Sequence, residues 1–589
     1  MQAAARKYFP DMRFTDEQET ILSSTGNIKI NAVAGSGKTT TLVEYAKRQK
    51  PGSRILYLAF NRSVRMEAIK RFGDQGLKNV DVQTAHSLAF RRIAAPLGYK
   101  IVPGYKIPDL AATLGITQVG RDLHSKYLIA GHILKFAGMF CNSAKSKVQE
   151  LDYRATISDP SARAAASRYY DHIEKGTRRF LALMDRKELA ATHDFYLKKF
   201  QLSRPVLGYD VILFDEGQDA SSAMLDVFLS QSGKKVIVGD VHQQIYGWRH
   251  AVNALKQVDF SNFTLSTSFR FNGHVAELAM QCLSWKRLIG EEVAACIKGV
   301  GKNSKVASRA TIARTNLALL KSAIDMVQND RSMKKIYFEG NFNSYTYAAD
   351  GASIYDVLNL YMDKTNAVRD PLIASMGSFD ELEEYAEKSE DQELKMLIDI
   401  VEEYGPRIPA LLKKISERHV ADGERGKANM IFSTLHRCKG MEYDEVTLTQ
   451  DFITEDRIKK QISSGGKNQP IDRNKINEEI NLAYVAVTRS RNYLDFPEAM
   501  FPTADKTLFM EKSARKRALK REPWEESWSS LKKRQPFGNA YKPWSPEDDQ
   551  RLLSLFEKGA SVKKLSQLLD RKPGAIAARL QKVRIMDFI

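Results

Sequence analysis

With 589 residues, 43% of them hydrophobic, and a formal charge of +19, the chain can bury several cores, roughly three to five domains, and favours a polyanionic partner, nucleic acid before an anionic membrane surface. It shows neither a charged-then-apolar leader nor an apolar run of about 18 residues, so secretion and membrane insertion are not expected and a cytoplasmic or nucleoid-associated protein is. Its four cysteines, Cys141, Cys282, Cys296 and Cys438, are too scattered for a CxxC metal site and suit a reducing compartment.

Phe14 to Gln18 opens the readable chain: Thr15 or Asp16 can cap a short helix, and the Gln18 amide can both donate to and accept from an adenine edge. The apolar run Asn27 to Ile30 then leads through NAVAGSGKTTT, Asn31 to Thr41, into the helical spacing of Leu42 to Tyr45. Strand, glycine loop and helix in that order build a phosphate-binding P-loop. Gly35 and Gly37 let backbone N–H groups close around phosphate oxygens, Lys38 supplies a point charge, and the Thr39 hydroxyl can hold Mg²⁺. Ala32 stands where the bare pattern has its first glycine.

Two further strands follow, Arg54 to Phe60 (RILYLAF), ending in Asn61 and Arg62, and Val80 to Val82, leading to Thr84, Ala85, His86 and Ser87. Such strand ends line the carboxyl edge of a parallel α/β sheet, where ligands bind. From about Ala89 to Pro205 the pattern is helical and locally basic, with an Ala/Arg-rich run at Ala162 to Tyr170 and the stretch THDFYLKKF, Thr192 to Phe200. It reads as a helical insertion. Val211 to Phe214 (VILF) is a buried strand running into Asp215, Glu216, Gly217, Gln218 and Asp219. Two adjacent acids there have complementary uses: Asp215 can hold Mg²⁺ through water, and Glu216 can orient and deprotonate an attacking water.

Lys235 to Val238 ends in GDVHQQIYGWR, Gly239 to Arg249, where amides, aromatics and a guanidinium crowd one strand end. That composition suits a junction between nucleotide and nucleic acid, because bases stack on aromatic faces without regard to sequence. Leu265 to Arg270 and Ile312 to Asn316 open a second α/β domain, closed by Met430 to Glu442 (MIFSTLHRCKGME) and Glu478 to Arg491 (EEINLAYVAVTRSR). Between these, roughly Ser322 to Lys427 reads as a second helical insertion, whose acidic run Phe379 to Glu393 is a solvated helix face, and Ile462 to Asn468 reads as a flexible polar loop.

From Gln18 to Arg491 these stretches resemble, in order and spacing, the motifs of the UvrD/Rep family of superfamily 1 helicases. Within it the resemblance is to the F-box DNA helicase branch, through THDFYLKKF, DEGQD and GDVHQQIYGWRHAVNAL. No F-box is expected in a chain that starts almost at the Gln18 motif, and no ubiquitin-ligase subunit is implied. The resemblance implies an α/β fold of two RecA-like P-loop motor domains with helical insertions. The first motor is expected in 1–88 and 206–265 with its insertion in 89–205, the second in 266–321 and 428–500 with its insertion in 322–427. It also implies ATP and Mg²⁺ as cofactors: Gln18 recognises adenine, Phe269 stacks on it, Glu442 binds the ribose, and Ala34, Gly35, Ser36, Gly37, Lys38, Thr39 and Thr40 cradle the phosphates. Thr39 and Asp215 hold the metal. Gln243, Arg270 and Arg489 contact the γ-phosphate, the arginines from the second domain. Phe60, His86, Tyr246, Trp248, Thr434 and His436 face single-stranded DNA, with Arg249 beside them. Val33 and Gly217 depart from the residues common in the family, at positions that carry no chemistry.

Past Phe496 the composition shifts. Residues 511–589 hold 19 Lys and Arg against 10 Asp and Glu, about half of the chain's positive excess, and 501–541 reads as a basic linker. Residues 542–589 show three short helical patterns, Pro546 to Phe556, Ser561 to Leu569 and Pro573 to Val583. They resemble a small all-α Myb/SANT-like helix-turn-helix module, which implies duplex DNA or a protein as partner. Its third helix is expected to pack Ile576, Leu580 and Val583 on Leu565 and Leu568. Arg571, Lys572, Arg579, Lys582 and Arg584 would then form a basic face free to meet duplex DNA. The reading as a whole is an ATP-dependent 3′–5′ DNA helicase and single-strand translocase acting at duplex junctions, in repair, recombination or replication. The alternative is an ATP-switched DNA-binding protein that displaces other proteins without processive unwinding.

Overall fold

The computed structural model describes residues 14–509, apart from 121, 123, 158, 248–249, 294–295, 303–304, 331–332, 341, 347–352 and 465–471, and in the C-terminal segment residues 544–557, 565, 568–571, 576 and 579. Residues 1–510 form one compact unit and 511–589 another.

In the first unit, strands β1 (Ile28–Ala32), β2 (Ile55–Ala59), β3 (Val80–Thr84), β4 (Val211–Phe214), β5 (Lys234–Gly239) and β6 (Ser261–Leu265) make one sheet in the order β3-β2-β4-β5-β1-β6, every pair parallel. β2 and β4 are buried at every residue, as a sheet covered by helices on both faces requires. The carboxyl ends of β4, β5 and β1 therefore lie side by side and bring the acidic strand end, the Gly239 to Gly247 stretch and the glycine loop together. Helix α1 (Asp16–Leu22) starts with a reciprocal cap between Thr15 and Gln18, and α2 (Lys38–Lys47) starts at Gly37 with no side-chain cap.

The stretch between β3 and β4 is helical, with α3 (Ser125–Asn142) and α4 (His193–Leu202) as two of its elements. Strands β7 (Arg309–Ala313), β8 (Ile336–Phe338), β9 (Met430–Thr434), β10 (Tyr443–Leu448) and β11 (Ser490–Asp495) form a second all-parallel sheet, in the order β8-β9-β7-β10-β11. Helix α5 (Gly273–Ser284) precedes it, and α6 (Phe379–Ser389) and α7 (Arg473–Val487) follow β8 in the chain. β8 corrects the expectation that 322–427 is wholly insertion. The apolar triplet Ile336, Tyr337, Phe338 is fully buried beside β9, too short to show an alternating pattern in sequence. The loop expected from Ile462 is helical through Ser464. Helix α6 buries Leu382, Tyr385 and Ala386 and turns its acids outward. Ala111, Tyr127, Leu128 and Ala130 from the first helical stretch share one core with the helices between β8 and β9, so the two helical regions pack on each other.

In the second unit, α8 (Pro546–Glu557) contributes Leu552 to a core with Leu565, Leu569 and Ile576. Leu568, expected inside, is 45% exposed, and Leu569 takes its place. Two of the cations expected on a free face are engaged: Arg579 forms a two-pronged pair with Asp549 at 2.6 and 2.7 Å, and Arg571 pairs with Asp548 at 2.9 Å. Both guanidinium groups also lie over the Trp544 ring, at 4.2 Å for Arg571 and 5.7 Å for Arg579. The acids at the start of α8 claim them because opposite charges at a partly buried seam outweigh exposure to water. Lys572, Leu580, Lys582, Val583 and Arg584 lie outside the described residues.

Candidate functional site

The turn after β1 is built for an anion. Gly35 and Gly37 have φ of +75° and +79°, open to glycine at little cost. A Cβ on Gly35 would stand 2.5 Å from Cβ of Arg270, and one on Gly37 would stand 3.3 Å from Nε2 of Gln18. At Gly35 the backbone thus comes closer to its surroundings than a side chain permits, and at Gly37 the fit is tight. Ala34 and Ser36 are buried, and Ser36 Oγ has no hydrogen-bond partner among the described residues. Lys38, Thr39 and Thr40 form the first turn of α2, whose N–H groups have no side-chain cap.

At the end of β4, Lys38 Nζ donates to Glu216 Oε1 at 2.8 Å. Glu216 has a left-handed backbone, φ +53°, a strained conformation for this residue type, of the kind that collects at functional sites. Its backbone N–H donates to Asp215 Oδ1 at 2.9 Å, and Asp215 Oδ2 accepts a short hydrogen bond from the buried Tyr57 hydroxyl. Burial and the neighbouring Glu216 charge push the Asp215 carboxyl up. For Glu216, burial is opposed by Lys38 and Lys439, which hold it well below the usual carboxylate range. The two acids are therefore driven apart, the electrostatic condition for unequal roles. Gln218 Nε2 bonds Glu216 Oε2 at 2.5 Å and Asp219 Oδ2 at 3.3 Å, while its carbonyl accepts from Asp240 N–H at 3.1 Å.

Across the cleft, Phe269 N–H donates to Gly35 O at 2.9 Å, and Phe269 is 51% exposed. Arg270 Nε meets Glu442 Oε2 at 2.7 Å, and Glu442 also pairs with Arg491. Arg489 is buried, donating to the carbonyls of Val485 and Met441 at 3.0 Å each. Burial and the charge of Arg489 lower Arg270 to about 10 against the pull of Glu442. Two guanidinium groups that repel each other beside a glycine loop favour an anion between them. Gln243 Nε2 bonds Asp240 Oδ2 at 2.9 Å. The Gln18 amide is spent locally, its Oε1 on Thr15 N–H and its Nε2 on Thr41 Oγ1, both at 3.0 Å. Adenine recognition there requires exchange of those partners.

Of the residues expected to face a strand, Phe60 stacks on Tyr246 at 5.7 Å and Tyr246 reaches His436 at 6.0 Å, its hydroxyl donating to the His436 carbonyl at 3.0 Å. These three form a ring row that joins the two parallel-sheet halves of the first unit. His86 stands apart from it, beside α4, with its side chain 45% exposed. Thr434 is buried at the end of β9. Trp248 and Arg249 lie outside the described residues.

Sequence reasoning missed four side chains that bind this site together. Tyr57 holds Asp215. Tyr484 donates to Asp240 Oδ2 at 2.8 Å from the second domain. Lys286, buried on the segment after α5, donates to Asn481 Oδ1 at 2.7 Å and lies 3.1 Å from His242 Nδ1. Lys439 forms a buried ion pair with Asp219, donates to the Gln243 carbonyl at 2.6 Å and sits over the Tyr246 ring at 4.7 Å. Burial pushes Asp219 up to about 6 while Lys439 pulls it down. A lone tyrosine in the aliphatic run RILYLAF was the one visible signal for Tyr57.

Residues 14–260 match the UvrD/REP helicase N-terminal domain, and residues 235–496 match the UvrD-like helicase C-terminal domain. The chain belongs to the UvrD/REP helicase family. It is 30% identical over 519 residues to F-box DNA helicase 1 of Gallus gallus, covering 82% of this chain and 49% of that protein. It is 27% identical over 542 residues to F-box DNA helicase protein 1 of Schizosaccharomyces pombe, covering 82% and 57%. To the ATP-dependent DNA helicase PcrA of Leuconostoc citreum it is 25% identical over 260 residues, covering 40% and 33%. The chain thus spans about half the length of the two F-box DNA helicases it matches.

UvrD-like helicases are ATP-dependent, and the residues here fit that nucleotide. The orphaned Ser36 hydroxyl, the uncapped start of α2 and the crowded pair Arg270 and Arg489 all call for a polyanion. Among the described residues no helix is long and apolar enough to cross a membrane.

Proposed function

We propose that this UvrD/REP family chain is an ATP-driven DNA helicase and single-strand translocase that moves 3′ to 5′. The observation that carries the reading is the segment Asp240 to Tyr246. One end holds Gln243 against Asp240 beside the glycine loop, the other places Tyr246 in the Phe60–His436 ring row, and Tyr484, Lys286 and Lys439 tie its length to the second motor domain. A change in the nucleotide cleft is thereby a change at the rings. The names of the relatives support DNA as the substrate.

In this reading Ala34 to Thr40 cradle the phosphates, with Thr39 and Asp215 as the residues that would hold Mg²⁺, and the bound nucleotide supplies the transferable phosphoryl group. Lys38 leaves Glu216 for the phosphates, which frees Glu216 to orient water and accept its proton. Gln243, Arg270 and Arg489 close on the outer phosphate, Phe269 offers its exposed ring to adenine, and Glu442 exchanges an arginine for the ribose. Residues 542–589 are read as an accessory docking module for duplex DNA or a protein.

The test is unwinding of duplexes with a single 3′ or 5′ tail, beside ATP turnover. The wild type is expected to open the 3′-tailed substrate, and Lys38→Ala, Glu216→Gln and Arg489→Ala to lose turnover, the last by about 10³ to 10⁵. Unwinding of 5′-tailed substrates alone reverses the polarity, and near-normal turnover in Arg489→Ala refutes the two-domain site.

A further inference from the structure

Tyr484 is not the only side chain of α7 that reaches the segment after β5. Asn481 Nδ2 donates to the Gln244 carbonyl at 2.9 Å, and Glu478 accepts the Gly247 N–H. Glu478, Asn481 and Tyr484 follow one another at intervals of three, so they share one face of the helix. Their partners run the opposite way along the chain, Gly247, then Gln244, then Asp240. Helix and segment therefore lie antiparallel, joined at three points. Lys286 fixes the middle one: its ammonium group can only donate, so Asn481 must turn Oδ1 to it, at 2.7 Å, and Nδ2 to Gln244.

The loop that Glu478 holds is closed on itself. Ala251 N–H donates to the Tyr246 carbonyl at 3.3 Å, His250 N–H to the Gly247 carbonyl at 2.9 Å, and Gln244 Nε2 to the Ala251 carbonyl at 3.1 Å. Ala251 and Val252 then pair antiparallel with Ser221 and Ala220, directly after Asp219. A loop tied in this way shifts as one piece, so a hold on Gly247 is a hold on the Tyr246 ring that stacks on Phe60. Gly247 admits the carboxylate because it lacks a side chain; a Cβ there would stand 2.9 Å from Glu478 Oε2. The neighbouring Glu479 is taken by Arg314, Nη2 to Oε1 at 2.7 Å and Nε to Oε2 at 3.1 Å. Arg314 directly follows β7, which anchors the start of α7 to the second sheet and leaves Glu478 for the loop. Burial and the charge of Glu479 raise the Glu478 carboxyl above its ordinary value, so the position favours an acceptor over a charge.

We propose that Glu478 is a positioning residue for the DNA-stimulated reaction. With Asn481 and Tyr484 it makes α7 a three-point splint along residues 240–247, and its hold on Gly247 passes strand arrival at the Tyr246 ring to the helix that leads to Arg489. Glu478 acts through the loop and takes no part in the chemistry itself. The splint rests on the helicase reading above.

The experiment measures ATP turnover of the full chain without DNA and across a titration with oligothymidylate. Glu478→Ala is expected to melt with the wild type and to keep its DNA-free turnover within about twofold. Its maximal DNA-stimulated turnover should fall about tenfold, while the half-stimulating DNA concentration stays within about threefold. Glu478→Gln still accepts from the Gly247 N–H and should restore stimulation. Gly247→Ala should reproduce the loss by pushing the carboxylate aside, and joining it to Glu478→Ala should add little, because both remove the same bond. Unchanged stimulation in Glu478→Ala overturns the splint. So do an equal fall with and without DNA, which would be damage to the nucleotide site, and additive losses in the double variant. A raised half-stimulating concentration with the maximum intact would make Glu478 part of strand binding, and equal losses in Glu478→Gln and Glu478→Ala would make its charge the active property; either result overturns the splint as well. All of these leave the helicase reading standing, whereas wild-type turnover indifferent to DNA overturns that reading itself and the splint with it.

Discussion

Tyr484 donates its hydroxyl to Asp240 Oδ2 at 2.8 Å, and Gln243 Nε2 donates to the same oxygen at 2.9 Å. The helix that leads to Arg489 therefore grips the strand end that carries Gln243. Both partners are buried, Tyr484 at 0% and Asp240 at 1% exposure, so no water replaces a lost bond without rearrangement. Tyr484→Phe removes one oxygen and a hydrogen bond to a charged group, about 1.5 to 3 kcal/mol. DNA-stimulated ATP turnover is expected to fall about tenfold or more, with nucleotide affinity little changed. Steady-state kinetics beside equilibrium binding of a labelled nucleotide checks this, and an unchanged turnover number would detach Tyr484 from the chemistry.

Lys439 and Asp219 are another bond between the motors, with side chains 8% and 0% exposed. Lys439→Met leaves a carboxylate buried without its partner and should cost about 3 to 5 kcal/mol. Adding Asp219→Leu removes the stranded charge and should recover most of that loss. Chemical denaturation of the two single variants and the double variant forms the cycle. Additive losses would show that the two charges do not depend on each other.

His132 in α3 is buried beside Tyr153, its Nδ1 2.7 Å from the hydroxyl. Burial, with Lys135 nearby, lowers it to about 4 from an ordinary 6.5. The folded state thus keeps the ring neutral while the unfolded chain takes up a proton. Its contribution is complete above pH 6.5 and is lost as pH falls through the interval down to 4, about 3 kcal/mol in all. Hydrogen exchange of α3 should accelerate over that window in the wild type and much less in His132→Asn. Equal pH dependence in both would assign the effect to other groups.

Arg579 and Asp549 hold the C-terminal module together, at 23% and 21% side-chain exposure. Arg579→Ala and Asp549→Ala should therefore each loosen the module by about 1 kcal/mol, seen as faster exchange in α8. If Arg579→Ala instead left exchange alone and weakened duplex binding, the cation would be serving DNA after all.

Residue order alone pointed to phosphate chemistry. The glycine loop and the acidic pair Asp215 and Glu216 were legible because phosphate chemistry restricts residue type and local spacing to a few patterns, whereas Arg270 and Arg489 stood out only through the resemblance to a family. The parallel strands were legible too, since a sheet covered on both faces demands unbroken apolar runs such as VILF. The short β8 was not, because three buried residues carry no period. Nor were the partners of the site: Tyr57 for Asp215, Tyr484 for Asp240 and Lys439 for Asp219 are separated in sequence by 158, 244 and 220 residues. Only tertiary structure decides such pairs, because they depend on which strand ends and helices meet across the cleft. The same holds at the C-terminus, where a basic helix pattern predicts a free cationic face and packing against Asp548 and Asp549 takes Arg571 and Arg579 out of it. Residue type sets what a side chain can do, and the neighbours brought by the fold set what it is already doing.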